Sequence, residues 1–109
     1  MSDILQQLAA TLEQRKSADA EQSYVASLHK KGLNKILEKI GEEATEVVLA
    51  AKDAGAGDNR EALVGEVADL WFHSMVMLSH LNIDVNDVLE CLGDRFGVSG
   101  LEEKASRDK

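Results

Sequence analysis

Two long stretches of helical periodicity, separated by "GAGD", decide most of what this chain can fold into. From about Leu33 to Ala54, Ile36, Ile40, Ala44, Val47 and Ala51 recur three and four residues apart. From about Asp58 to Leu81, Leu63, Val67, Leu70, Ser74, Met77 and Leu81 keep the same rhythm. That spacing puts each set on one side of a helix. A short glycine-rich turn between two such segments predicts an antiparallel helix hairpin. The strongest helix breaker is absent, with no proline in 109 residues, and Ala, Leu, Glu and Lys are frequent. Aromatic residues make up only 4%, so the core must be built from Leu, Val, Ile and Ala. The length suits one domain, residues 1–109.

Three shorter segments complete an all-α reading. Asp3 is placed to cap a first helix in which Ile4, Leu5, Leu8 and Leu12 form an amphipathic stripe up to about Arg15. The polar run "KSADAEQ" leads to a second segment carrying Tyr24, Val25 and Leu28, which stops near Gly32. Asn82 breaks the fourth segment, Asp84 caps, and a fifth helix runs from Val85 to about Arg95. The tail "FGVSGLEEKASRDK" reads as irregular or as a short helical turn. The expected architecture is a helical bundle built on the long antiparallel pair. In "LWFHSMVMLSHL" apolar residues extend most of the way round the fourth helix, which in a chain this small suggests completion by a homodimer. Trp71, Phe72, Met75 and Val76 fall outside the main stripe and are the interface candidates; the alternative is that the first two helices cover them.

Charge narrows the partners. A net charge of −8 argues against a nucleic-acid backbone and against an anionic membrane surface. It leaves room for a small anionic substrate that arrives with metal ions. The single Cys91 cannot form an internal disulfide, and no Cys/His cluster has zinc-site spacing. Lying beside Leu89 and Leu92, Cys91 reads as a buried small hydrophobe. The N-terminal "MSDILQQLAATLEQRK" lacks an apolar signal-peptide run, and no stretch approaches the roughly 18 apolar residues of a membrane span. The expectation is a soluble, cytoplasmic protein.

Five acidic pairs have the spacing [DE]-x-x-[DE]: Glu43/Glu46, Asp58/Glu61, Glu66/Asp69, Asp84/Asp87 and Asp87/Glu90. With 20 acids in the chain, chance supplies several. Asp58 and Asp84 sit at expected helix starts, where carboxylates satisfy free backbone N–H groups and the helix dipole. Glu61, Asp87 and Glu90 extend those first turns. Glu43/Glu46 and Glu66/Asp69 differ because they lie inside helices. At about 100° per residue, Glu43 and Glu66 border the apolar stripes of their helices, with Glu46 and Asp69 one step further out. An antiparallel hairpin can bring both pairs to one groove. Four converging carboxylates repel one another and rise in pKa unless a cation is present, and hard oxygen donors without His or Cys select Mg²⁺ or Mn²⁺. A solvated acidic face is the alternative.

The words "SYVASLHKKGLNKILEKIGEEATEVVLAAK" and "LVGEVADLWFHSMVML", with the tail "SGLEEKASR", resemble the phosphoribosyl-ATP pyrophosphatase family from about Ile4 to Arg107. That family belongs to the all-α nucleoside-triphosphate pyrophosphohydrolases, related to the MazG and dimeric dUTPase proteins. Its ExxE and ExxD pairs correspond here to Glu43-Ala-Thr-Glu46 and Glu66-Val-Ala-Asp69. The resemblance implies hydrolysis of 1-(5-phosphoribosyl)-ATP to 1-(5-phosphoribosyl)-AMP and pyrophosphate, the second step of histidine biosynthesis. It also implies Mg²⁺, with Mn²⁺ as a substitute, held by Glu43, Glu46, Glu66 and Asp69. Glu42 and Glu46 are the candidates to orient the attacking water.

Basic residues should complete such a site, and Lys39, Lys52, Arg95, Lys104 and Arg107 are the candidates for substrate phosphates, each with a solvated surface role as the alternative. His73, one turn after Asp69, either hydrogen-bonds a ligand carboxylate or is satisfied in helix packing. His29 and His80 carry no signal. "GVSGLEEK" could close over phosphates, although two glycines make a poor phosphate loop. Two rival functions remain: a house-cleaning nucleoside-triphosphate pyrophosphohydrolase with the same acids, and a non-enzymatic helical interaction module.

Overall fold

The structure, a computed structural model, describes residues 2–97. It is all-α, with five helices in chain order: α1 (Ser2–Arg15), α2 (Tyr24–Lys31), α3 (Leu33–Gly55), α4 (Arg60–His80) and α5 (Val85–Phe96). Their boundaries follow local chemistry. At the start of α2 the Ser23 hydroxyl accepts the Ala26 N–H at 3.2 Å. Gly32 then serves two helices: its N–H donates to the Leu28 carbonyl, closing α2, and its own carbonyl accepts the Ile36 N–H, opening α3. Its φ of 101° makes this sharp junction accessible to glycine and strained for other residues. Asp84 caps α5 through its carboxylate, which accepts the Asn86 N–H at 2.9 Å.

Two expected caps are placed differently. Helix α1 already includes Asp3, so this residue lies within the first turn and not before it. Asp58 does not cap α4. Its N–H instead donates to the Asp53 carbonyl, folding it into the α3 terminus, and Asn59 at φ 52° occupies the cap position without a side-chain hydrogen bond. The connection is tight enough to use up Asp58 before the helix begins.

Helices α3 and α4 pack along each other as an antiparallel hairpin, and α1, α2 and α5 gather around one end of it. There Leu12, Val25, Leu28, Ile36, Met75, Val76 and Val85 form a continuous buried cluster. Two of the interface candidates therefore belong to the chain's own core: Val76 is sealed, Met75 nearly so, and Phe72 packs against the same cluster. The short flanking helices reach them, as the alternative held. Only Trp71 stays outward, 58% exposed.

The free end of the hairpin is bare by comparison, with Val48, Leu49 and Val64 all exposed, Val64 to 70%. The resulting shape is long and flat, 55 × 38 × 21 Å. Its radius of gyration is 16.6 Å, against about 13 Å for a rounded domain of this length. Cys91 is exposed, contrary to its expected burial, because α5 lies at the edge and buries chiefly Val85 and Gly93. No helix of the described residues is long and apolar enough to cross a membrane.

Candidate active site

Midway along the hairpin, where the packed end gives way to the bare end, its two inward-bordering glutamates meet. Glu43, Glu46 and Glu66 each offer a carboxylate oxygen, and the three oxygens lie within 4.8 Å of one another. Burial follows the helical wheel: Glu43 is only 8% exposed and Glu66 is half-buried, whereas Glu46 and Asp69 are exposed. The antiparallel register accounts for the meeting, because the Glu43–Glu46 turn of α3 faces the Glu66–Asp69 turn of α4.

The electrostatics of this cluster are unfavourable as it stands. Burial pushes the Glu43 carboxyl above the usual carboxylate range, and the charges of Glu46 and Asp69 push it further. His73 and Lys39 act weakly in the opposite direction. Glu66 is pushed up to about 7, first by a hydrogen bond shared with Glu46, then by burial and by the charges of Glu46, Glu43 and Asp69. One oxygen of Glu43 (Oε2) and one of Glu66 (Oε2) are buried with no hydrogen-bond partner among the described residues. Buried polar atoms are nearly always satisfied, so two orphaned carboxylate oxygens at one spot are a specific anomaly. A divalent cation with a taste for hard oxygen donors fits them.

Asp69 is outside the set of three mutually close oxygens, although its charge reaches both Glu43 and Glu66. Lys39 donates to Glu42 at 3.1 Å, so these neighbours on the outer face are engaged with each other. Lys52, in the last turn of α3, and Arg95, in the last turn of α5, are exposed, and no described hydrogen bond or ion pair ties either to the cluster. Lys104 and Arg107, with the "GVSGLEEK" segment beyond Gly97, lie outside the described residues.

His73 is buried and does not reach a carboxylate. Its Nδ1 faces the backbone carbonyl of Asp69 at 2.9 Å and its Nε2 faces the Tyr24 hydroxyl at 2.8 Å. Tyr24 was missed as a site neighbour because it lies 49 residues away in the chain, with no spacing signal to link the two.

Residues 5–96 match the family described as "Phosphoribosyl-ATP pyrophosphohydrolase". The chain belongs to that family. A relative from Hydrogenovibrio crunogenus (strain DSM 25203 / XCL-2), named phosphoribosyl-ATP pyrophosphatase, is 56% identical over 108 residues, covering 99% of this chain and 96% of the relative. The matched region contains all three clustered glutamates, Asp69, Tyr24 and His73.

Proposed function

We propose that this family member hydrolyses 1-(5-phosphoribosyl)-ATP to 1-(5-phosphoribosyl)-AMP and pyrophosphate, the second step of histidine biosynthesis, in the cytoplasm. Glu43, Glu46, Glu66 and Asp69 would hold Mg²⁺, or Mn²⁺ in its place. Family membership supports the substrate. The pair of buried, unpartnered oxygens on Glu43 and Glu66 is the single observation that most supports the metal. A divalent cation bound there would offset the charge that gathers on the phosphate oxygens and on departing pyrophosphate.

The chain's own groups divide the remaining work. Glu43, fixed by burial, gives the site a rigid wall. Glu46 is exposed and belongs to the cluster, whereas Glu42 is held by Lys39, which favours Glu46 for orienting the attacking water. Lys39 lies close enough to influence Glu43 and is suited to meet a substrate phosphate by leaving Glu42. Lys52, Arg95, Lys104 and Arg107 stay as further phosphate contacts to be tested.

A homodimer belongs to this reading. The bare apolar end of the hairpin, the outward Trp71 and the elongated shape together leave apolar surface that a second copy would bury.

Pyrophosphate release from phosphoribosyl-ATP, from dUTP and from the four common nucleoside triphosphates, each with and without Mg²⁺, tests the proposal. The expected result is Mg²⁺-dependent turnover with phosphoribosyl-ATP far ahead of the rest. Faster turnover of an ordinary triphosphate would point to the house-cleaning activity. No turnover of any of them would return the chain to the interaction-module class.

A further inference from the structure

Four carboxylates that repel one another need something other than themselves to hold their helices in register before a cation arrives. Beside them, α2 and α4 are joined by three rings. His73, one helical turn beyond Asp69, is only 5% exposed. A carbonyl can only accept, so the 2.9 Å contact to the Asp69 backbone oxygen requires the hydrogen on Nδ1. In the neutral ring Nε2 is then the acceptor, and the Tyr24 hydroxyl donates to it at 2.8 Å. Both ring nitrogens are thereby satisfied.

The same ring is wedged by its neighbours. It stands edge-on to Phe72, with centroids 5.1 Å apart at 88°, and edge-on to Tyr24, at 5.7 Å and 86°. Tyr24 and Phe72 lie nearly parallel at 6.3 Å. Edge-to-face contacts of this kind favour one relative orientation. Tyr24 is the first residue of α2, and α2 runs through Gly32 directly into α3, the helix that carries Glu43. The chain of contacts therefore connects the two helices that supply the carboxylates, without using a charge.

The geometry points to Tyr24 as a positioning residue for the cation site: its hydroxyl orients His73, and His73 holds the Asp69 turn of α4 in register with Glu43. Groups that orient metal ligands typically change metal affinity or activity by about 10- to 100-fold when removed. This inference rests on the metal reading of the carboxylate cluster.

Tyr24→Phe tests it, because the variant keeps the ring contacts and removes only the donor. Mn²⁺ binding to the substrate-free protein is titrated by electron paramagnetic resonance for wild type, Tyr24→Phe and Leu12→Ala. Leu12 is a buried residue of α1 outside the ring contacts, and its truncation serves as a control for general loosening. Tyr24→Phe is expected to bind Mn²⁺ about tenfold more weakly. Its kcat should fall by a similar factor, KM should stay within about twofold, and helical circular dichroism should be retained. Leu12→Ala is expected to keep wild-type Mn²⁺ affinity. Unchanged Mn²⁺ binding in Tyr24→Phe would overturn the positioning role alone. So would a raised KM at constant kcat, which would make Tyr24 a substrate contact, or equal weakening in Leu12→Ala. A wild-type protein that binds no Mn²⁺ would overturn the metal reading and this inference with it.

Discussion

The two ends of the α3–α4 hairpin carry similar apolar periodicity and meet opposite fates. At one end Ile36 and Val76 are sealed beneath α1, α2 and α5; at the other Val48, Leu49 and Val64 face outward. The carboxylates sit at the boundary between them. This difference shows that the chain's own core is only part of what the hairpin's pattern encodes. A site placed at such a boundary has one rigid wall from the core, Glu43, and one accessible side, Glu46.

Truncation at the sealed end should have the largest effect on stability. Ile36→Ala is expected to cost about 2–5 kcal/mol in denaturant unfolding, from lost burial and the cavity left behind. A cost below about 1 kcal/mol would mean that the core is not centred where Ile36 lies. At the bare end, Val64→Asp is expected to leave the helical signal intact and halve the mass measured by sedimentation. A mass unchanged from wild type would remove Val64 from the proposed dimer contact, and a monomeric wild type would remove the dimer itself.

Acidity probes the boundary. Glu66 titrates near 7 in the folded chain, above the roughly 4.3 of a free glutamate, so between these values the native state binds more protons than the unfolded one. Its contribution to stability is present at low pH and is lost as pH rises through about 7. Metal-free protein should therefore show a Tm component that falls from pH 5 to pH 7.5, and Glu66→Gln should flatten it. A slope unaltered by the substitution would assign the titration to other groups.

The smallest expected effects separate the two acidic helix starts. Asp84→Ala should cost about 1 kcal/mol, because its carboxylate accepts a helix N–H. Asp58→Ala should stay within about 0.5 kcal/mol, because that side chain caps nothing. Equal costs would mean that charge near the helix terminus matters more than the hydrogen bond.

Much of this organisation was legible in the residues. Helices α2 to α5 follow periodicity bounded by Gly32, the "GAGD" turn, Asn82 and Asp84, because these breaks arise from local backbone preference. The singling out of Glu43 and Glu66 came from a negative argument: helix dipoles do not account for acids inside a helix. What stayed hidden was what only packing decides. From Leu70 onward apolar residues run most of the way round α4, so nothing local assigned Met75 and Val76 to the core and Trp71 to the outside. The Tyr24–His73 bond joins residues far apart in the chain, and neither type is distinctive alone. Residue type alone does not decide a cap at Asp58, because a one-residue shift in the turn uses its backbone N–H to finish α3 and leaves the cap position to Asn59.

Glu43 and Glu66 are proposed to hold repulsion in store for a divalent cation. This is tested most directly by the Tm and pyrophosphate release of wild type and Glu66→Gln at pH 8, with and without Mg²⁺. Mg²⁺ is expected to raise the wild-type Tm and to support turnover. Glu66→Gln should be the more stable protein without metal, should gain almost nothing from Mg²⁺, and should lose at least about 100-fold in activity, the scale of removing a group that stabilises developing charge. Equal Mg²⁺ stabilisation of both proteins, or retained activity in Glu66→Gln, would contradict it.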